Sequence, residues 1–212
     1  MNLMLTVCLA SVLLYTAESL RCHQCTNESC SNSTSVLCPL TSTVCRTITS
    51  VRLTNTIASV TVGKNCSSLL SCITPNNVET EWSVNQGFKK EAHTQKCCAT
   101  DNCNLGTLAV PNLLTNGKQC VACASSADSM AGTCNTTLSC AGVEDRCFNG
   151  TTMSNSTEML ELGCISSNLC GIPLILEAVL GENTAVTCGA PWTISISGLL
   201  LTFALTACKA LV

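Results

Sequence analysis

Aromatic side chains and charges are both scarce in this chain. Its 212 residues include only 2 Trp, 1 Tyr and 3 Phe, and 11% are Asp, Glu, Lys or Arg. Aromatics supply much of the buried area of an ordinary core. Tyr15, Trp82, Phe88, Phe148, Trp192 and Phe203 alone therefore exclude a large interior of the usual kind. Lys and Arg number 10 against 13 Asp and Glu, so no cationic excess exists to neutralise phosphates, which excludes a basic nucleic-acid binder. No G-x-S-x-G nucleophile turn, P-loop or dinucleotide fingerprint occurs. What the chain has instead is cysteine, 20 in all, near the density of a disulfide-stapled secreted scaffold. Covalent links must supply what the core does not.

The two ends read as processing signals. Residues 1–19 are apolar from Leu3 to Tyr15 and close on Ala17-Glu18-Ser19, the small-x-small pattern of a secretory signal. The segment Ile194–Val212 is apolar and just long enough to span a bilayer, but Lys209 lies near its end and no basic stop-transfer cluster follows. With small residues ahead of it, residues 190–212 read as a glycosylphosphatidylinositol signal, with Gly189 the lipid attachment site. A single membrane span and a freely secreted chain are the alternatives. The expected location is the extracellular face of the plasma membrane, or the medium.

Cys8 and Cys208 fall in these end segments, which leaves an even 18. They form two sets: Cys22, Cys25, Cys30, Cys38, Cys45, Cys66, Cys72, Cys97, Cys98 and Cys103, then Cys120, Cys123, Cys134, Cys140, Cys147, Cys164, Cys170 and Cys188. Both open C-x2-C, and Cys38/Cys45 and Cys66/Cys72 are matched in spacing by Cys140/Cys147 and Cys164/Cys170. An offset of 98 residues takes Cys22, Cys25, Cys66 and Cys72 to Cys120, Cys123, Cys164 and Cys170. Internal duplication explains this. The units are 20–104 and 119–189, joined by a linker at 105–118. The C-x2-C pairs invite a zinc reading, but the only histidines, His23 and His93, lie in the first unit. An oxidising compartment favours disulfides, so no metal or other cofactor is expected. Between cysteines the chain is β-branched, as in 44–53 and 57–62, with Thr54-Asn55 suited to a turn. No segment has convincing helical periodicity. The expected class is all-β, small and disulfide-rich.

The C-x2-C opening after Leu20-Arg21, the long inter-cysteine loops and the ending Cys97-Cys98-Ala-Thr-Asp-Asn-Cys103-Asn104 resemble the lymphocyte-antigen-6/urokinase-receptor superfamily of three-finger domains. Glu144-Asp145-Arg146-Cys147-Phe148-Asn149-Gly150-Thr151 is similar to the second-domain strand of urokinase-receptor-like proteins. The resemblance covers residues 20 to 189 and implies two tandem snake-toxin-like domains. It also implies the pairs Cys22–Cys45, Cys25–Cys30, Cys38–Cys66, Cys72–Cys97 and Cys98–Cys103, then Cys120–Cys147, Cys123–Cys134, Cys140–Cys164 and Cys170–Cys188. Spacing alone leaves hundreds of connectivities open. The second unit departs from the pattern: it runs from Cys188 into the tail without the final C-x4-C-N knuckle.

His23 and His93 read as surface polar residues. Glu144 and Asp145, adjacent on a strand, point to opposite faces and read as a solvated strand or an electrostatic contact. Six sequons stand at Asn27, Asn32, Asn65, Asn135, Asn149 and Asn155. They leave the third fingers, residues 73–96 and 171–187, as unshielded surface. The first unit holds seven Lys and Arg against five acids, a net of +2, and the second Arg146 against seven acids, a net of −6. This split reads as simple solubility or, alternatively, as attraction between the units or to partners of opposite sign. The apolar run 172–180 reads either as a loop that packs onto the first unit through the linker or as an exposed one in which Ile172, Leu174 and Leu176 meet a partner. These readings converge on a non-enzymatic cell-surface receptor or modulator with an extracellular protein ligand and a lipid tie to the membrane. A soluble two-domain phospholipase A2 inhibitor is the alternative within the binding class. A secreted hydrolase is the alternative outside it.

Overall fold

The computed structural model describes residues 19–25, 29–54, 57–74, 77–154 and 157–189. Most of the signal segment, the tail from 190, and the sequon residues Asn27 and Asn155 lie outside the described residues. The first unit consists of three antiparallel hairpins: β1 (Arg21–Cys25) with β2 (Ser33–Leu37), β3 (Val44–Thr54) with β4 (Ile57–Ser67), and β5 (Glu79–Asn85) with β6 (Lys89–Cys98). Alternation along β3 explains its two faces. Thr47, Thr49 and Val51 are buried on one side, while Arg46, Ile48 and Ser50 are half-buried on the other. The linker crosses the first face, where Thr47 Oγ1 and Thr49 Oγ1 donate to the carbonyls of Asn104 and Leu108 at 3.3 and 3.1 Å.

The second unit repeats the first two hairpins, with β7 (Thr115–Ala122) on β8 (Thr136–Ala141) and β9 (Arg146–Ser154) on β10 (Thr157–Ile165). β7 begins inside the expected 105–118 linker. A short helix α1 (Ser126–Ala131) is set by the Ser125 cap, whose hydroxyl accepts from Asp128 N at 3.2 Å. The third finger departs from the all-β expectation: the run read as a loop is helix α2 (Pro173–Leu180), followed by strand β11 (Ala185–Cys188) on β9. Pro173 occupies the first helical turn and leucines with Ala178 carry the helix on. Such a short run shows too few turns for its period to stand out.

A single seven-stranded sheet, in the order β11-β9-β10-β5-β6-β3-β4, runs through both units. The join is short: Cys164 pairs Asn85 and Ile165 pairs Val84. Ser166 N donates to Ser83 O at 3.0 Å just beyond it. The expectation that residues 73–96 form unshielded surface is therefore corrected, because β5 and β6 are central strands. Trp82 and Val84 of the first unit share one core with Phe148, Ile165, Leu169, Ile175 and Leu176 of the second. Elsewhere the interior is sulfur: Cys22, Cys38, Cys45 and Cys98 in one unit, and Cys120, Cys140 and Cys164 in the other.

Among the described residues nine disulfides are present. They join Cys22 to Cys45, Cys25 to Cys30, Cys38 to Cys66, Cys72 to Cys97, Cys98 to Cys103, Cys120 to Cys147, Cys123 to Cys134, Cys140 to Cys164 and Cys170 to Cys188. None crosses between units. Bridges closing loops of this size contribute about 2–4 kcal/mol each, and they fix the finger bases. No helix among the described residues is long and apolar enough to cross a membrane.

Candidate functional site at the seam of the two units

Strand register assembles the site. β3, β6 and β5 align Ser50, His93 and Trp82 in one cross-strand row, and Arg52, Glu91 and Val84 in the next. The His93 ring stacks on Trp82 with centroids 3.9 Å apart and planes at 24°. Ser50 Oγ lies 2.8 Å from His93 Nδ1, and Glu91 Oε2 lies 3.5 Å from Nε2. Arg52 Nε and Lys89 Nζ approach Glu91 Oε1 at 3.4 and 3.2 Å. Burial works to raise the Glu91 pKa, but the His93 ring and the charges of Lys89 and Arg52 outweigh it and hold the carboxyl below its ordinary range. His93 is buried, which corrects its reading as a surface residue. Sequence could not place Ser50, Glu91 and His93 together, because only the β3–β6 register does so.

Helix α2 lies over these rows. Ile175 and Leu176 point into the shared core at 7% and 5% exposure, so Leu176 is corrected from partner contact to core residue. Ile172 packs half-buried against the same core. Leu174 remains 55% exposed at the rim. Lys89 Nζ donates to Val179 O at 3.0 Å, fastening the helix to β6. Between the helix and the sheet runs a groove of about 240 Å³, with Leu70 and Leu174 at its rim and Arg46, Trp82, Glu91 and His93 below. Leu70 is 72% exposed. Arg46 makes no ion pair among the described residues. Its Nε donates to Asn65 Oδ1 at 3.3 Å, and burial lowers its pKa.

The charge asymmetry between units meets at the same seam, but not in solvent. Glu144 is fully buried, so of its two readings the solvated strand is corrected and the electrostatic contact is the one observed. It precedes β9 and turns inward, where Lys90 Nζ stands 3.1 Å from Oε1. Ser83 Oγ donates to Oε1 at 3.1 Å, Asn85 Nδ2 to Oε2 at 3.4 Å and Ala141 N to Oε2 at 2.8 Å. Asp145 turns outward and accepts from Ser167 N at 2.6 Å. Glu161 is also buried, accepting from Gln86 Nε2 across the seam and from Thr152 Oγ1 at 3.0 Å. Burial raises its pKa, opposed by these bonds and by Lys89.

Of the described sequon residues, Asn32, Asn135 and Asn149 are exposed and Asn65 is half-buried beside Arg46. Gly189 is the last described residue, and its N–H donates to Cys147 O at 2.8 Å. The sulfur clusters Cys22/Cys38/Cys66 and Cys120/Cys140/Cys164 have metal-like spacing, but every member is in a disulfide and has no thiolate to offer.

No protein-family model matches the chain, and no curated protein matches it in sequence. Among solved structures it is similar to the crystal structure of mouse TEX101, at 16% identity over 76% of this chain and 88% of that one, with a TM-score of 0.27.

Proposed function

We propose that this chain is an extracellular, non-enzymatic binding protein of the lymphocyte-antigen-6/urokinase-receptor type, and that the seam groove is where it takes its partner. The observation that carries the reading is the pairing of an exposed apolar rim, Leu70 and Leu174, with an Arg46 guanidinium that has no carboxylate of its own. A protein segment presenting an apolar side chain beside an Asp or Glu satisfies both. Nine disulfides persist only in an oxidising compartment, which supports an extracellular setting. Affinity capture from extracellular and cell-surface proteins tests this, with the whole chain and its Leu174→Asp and Arg46→Ala variants as baits. A partner held by the parent chain and lost from both variants supports the groove. Equal capture by all three overturns it.

The lipid tie belongs to the same reading. On expressing cells, phosphatidylinositol-specific phospholipase C is expected to release the protein in parallel with a known anchored control; retention would favour a spanning tail.

One arrangement favours a hydrolase reading: the line Ser50–His93–Glu91 has the residue types of a nucleophile, base and acid. The surrounding sheet argues against it. β3 is paired on both edges by β4 and β6, and β6 by β3 and β5, so their main-chain N–H groups are engaged in the ladder. None is left beside Ser50 to stabilise an oxyanion. Ser50→Ala is expected to leave partner capture unchanged, and ester hydrolysis by the parent chain that Ser50→Ala abolishes would reverse the assignment.

A further inference from the structure

After Cys188 the second unit has no C-x4-C-N knuckle in its sequence, as the first has. In the first, the chain passes through the Cys98–Cys103 knuckle to Asn104, whose Oδ1 accepts from His23 N and whose Nδ2 donates to His23 O, both at 2.8 Å. Buried Thr47 meets Asn104 from the β3 side through its 3.3 Å hydrogen bond. The offset of 98 that takes Cys22 to Cys120 takes His23 to Val121. The offset of 102 that takes Cys45 to Cys147 takes Thr47 to Asn149.

β7 and β8 pair in the same register as β1 and β2, with Cys120 opposite Leu138 as Cys22 is opposite Val36. Val121, like His23, therefore turns its N–H and C=O away from its hairpin partner. Among the described residues nothing takes up these two groups. A cleft of about 590 Å³ opens at this place, and no charged side chain lines it. Val121, Thr137, Asn149, Leu162 and Thr187 are among its walls.

Asn149 heads the sequon Asn149-Gly150-Thr151 and is exposed where its counterpart Thr47 is buried. Thr187 Oγ1 donates to Asn149 Oδ1, which orients the carboxamide and leaves Nδ2 open. Gly150 is required by the neighbouring strand, because a Cβ there would stand 2.1 Å from Ala185 O.

From this geometry we infer that Asn149 bears an N-glycan whose core folds into the cleft, closing the second unit as the knuckle and Asn104 close the first. The inference rests on the extracellular reading above. Attachment joins Asn149 Nδ2 to the anomeric carbon of a lipid-pyrophosphate-linked oligosaccharide. The anomeric C–O bond breaks, the lipid pyrophosphate leaves with the electron pair, and Nδ2 gives one proton to a base of the transferase. The acetamido group of the first N-acetylglucosamine has one carbonyl acceptor and one N–H donor, the two functions that the Asn104 carboxamide supplies to His23. Its partners are the Val121 N–H and C=O, with Leu162 offering apolar surface to the methyl. A neutral lining suits an uncharged sugar, since no charged group must be desolvated.

The test uses the full chain expressed in mammalian cells and collected from the cell surface with phosphatidylinositol-specific phospholipase C, or from the medium, with Thr151→Ala and Asn149→Gln as two independent ways of removing the sequon. Peptide mapping is expected to find Asn149 occupied. Under native conditions, peptide N-glycosidase is expected to release the glycans of exposed Asn32 and Asn135 about tenfold faster than that of Asn149, and the Val121 amide to exchange about tenfold more slowly in the parent chain than in either variant. An unoccupied Asn149 beside occupied Asn32 and Asn135 overturns the inference. Equal release at the three sites, or unchanged Val121 exchange, also overturns it. Absence of glycan from every sequon would overturn the extracellular reading together with it.

Discussion

Glu144 shows what burial does to a residue that composition places at the surface. Its carboxylate has lost water but has gained Lys90, Ser83, Asn85 and the Ala141 amide, so both oxygens are satisfied. Removing one partner of such a pair leaves a buried charge alone, at about 3–5 kcal/mol. Glu144→Ala is expected to cost that much in denaturant unfolding, and Lys90→Met in the same background is expected to recover part of it. An unchanged midpoint in Glu144→Ala would show that the pair does not fasten the units. Glu91 and Glu161 give opposite pH dependences. Glu91, with its pKa lowered in the fold, contributes stability above about pH 4.5 that is lost as pH falls through its folded value. Glu161, with its pKa raised, favours the fold below about pH 4.5, and that contribution is lost as pH rises through its folded value. Unfolding midpoints between pH 3 and 7 are expected to flatten on the acid side in Glu91→Gln. In Glu161→Gln they are expected to rise at neutral pH with no gain at pH 3.

At the scale of elements, α2 separates two kinds of leucine two residues apart, which the helix turns to opposite faces. Leu176→Ala is expected to destabilise the chain by about 2–5 kcal/mol, as truncation in a filled core does. Leu174→Asp is expected to stay within about 0.5 kcal/mol of the parent, because its side chain is at the rim. Secreted yield and unfolding midpoints distinguish them; equal loss in both would place Leu174 in the core as well. The β3–β4 hairpin was legible in the sequence, because the β-branched runs 44–53 and 57–62 and the polar Thr54-Asn55 pair between them state two strands and a turn locally. The α2 helix was not. Its eight residues are apolar nearly all round, and such a run reads alike as loop, buried strand or buried helix until its neighbours are known. The groove was legible only as an apolar segment near the second unit's third finger. Ser50, Glu91 and His93 come together through strand register, which depends on long-range pairing that no local pattern states.

At the scale of the molecule, the repeat was plain in the cysteine intervals, but the single sheet and shared core were not, since duplication describes each unit and says nothing of how two units meet. Gly163 permits the meeting. It precedes the Cys164–Asn85 pair on β10, and a Cβ at this position would stand 1.9 Å from Asn85 O and 2.9 Å from its carbonyl carbon. Both atoms are backbone, so neither can swing aside as a flexible side chain would. Gly163→Val therefore has to push β10 away from β5, and with it the Glu144 and Glu161 bonds and the contact of Trp82 and Val84 with Phe148 and Ile165. The disulfides lie within the units and do not depend on this approach. The parent chain is expected to unfold in one transition, because a shared core couples the units. In Gly163→Val all nine bridges are expected to form, two transitions to replace the one, and small-angle scattering to report a larger radius of gyration. A single transition with an unchanged radius would mean that the units hold together without the β5–β10 join.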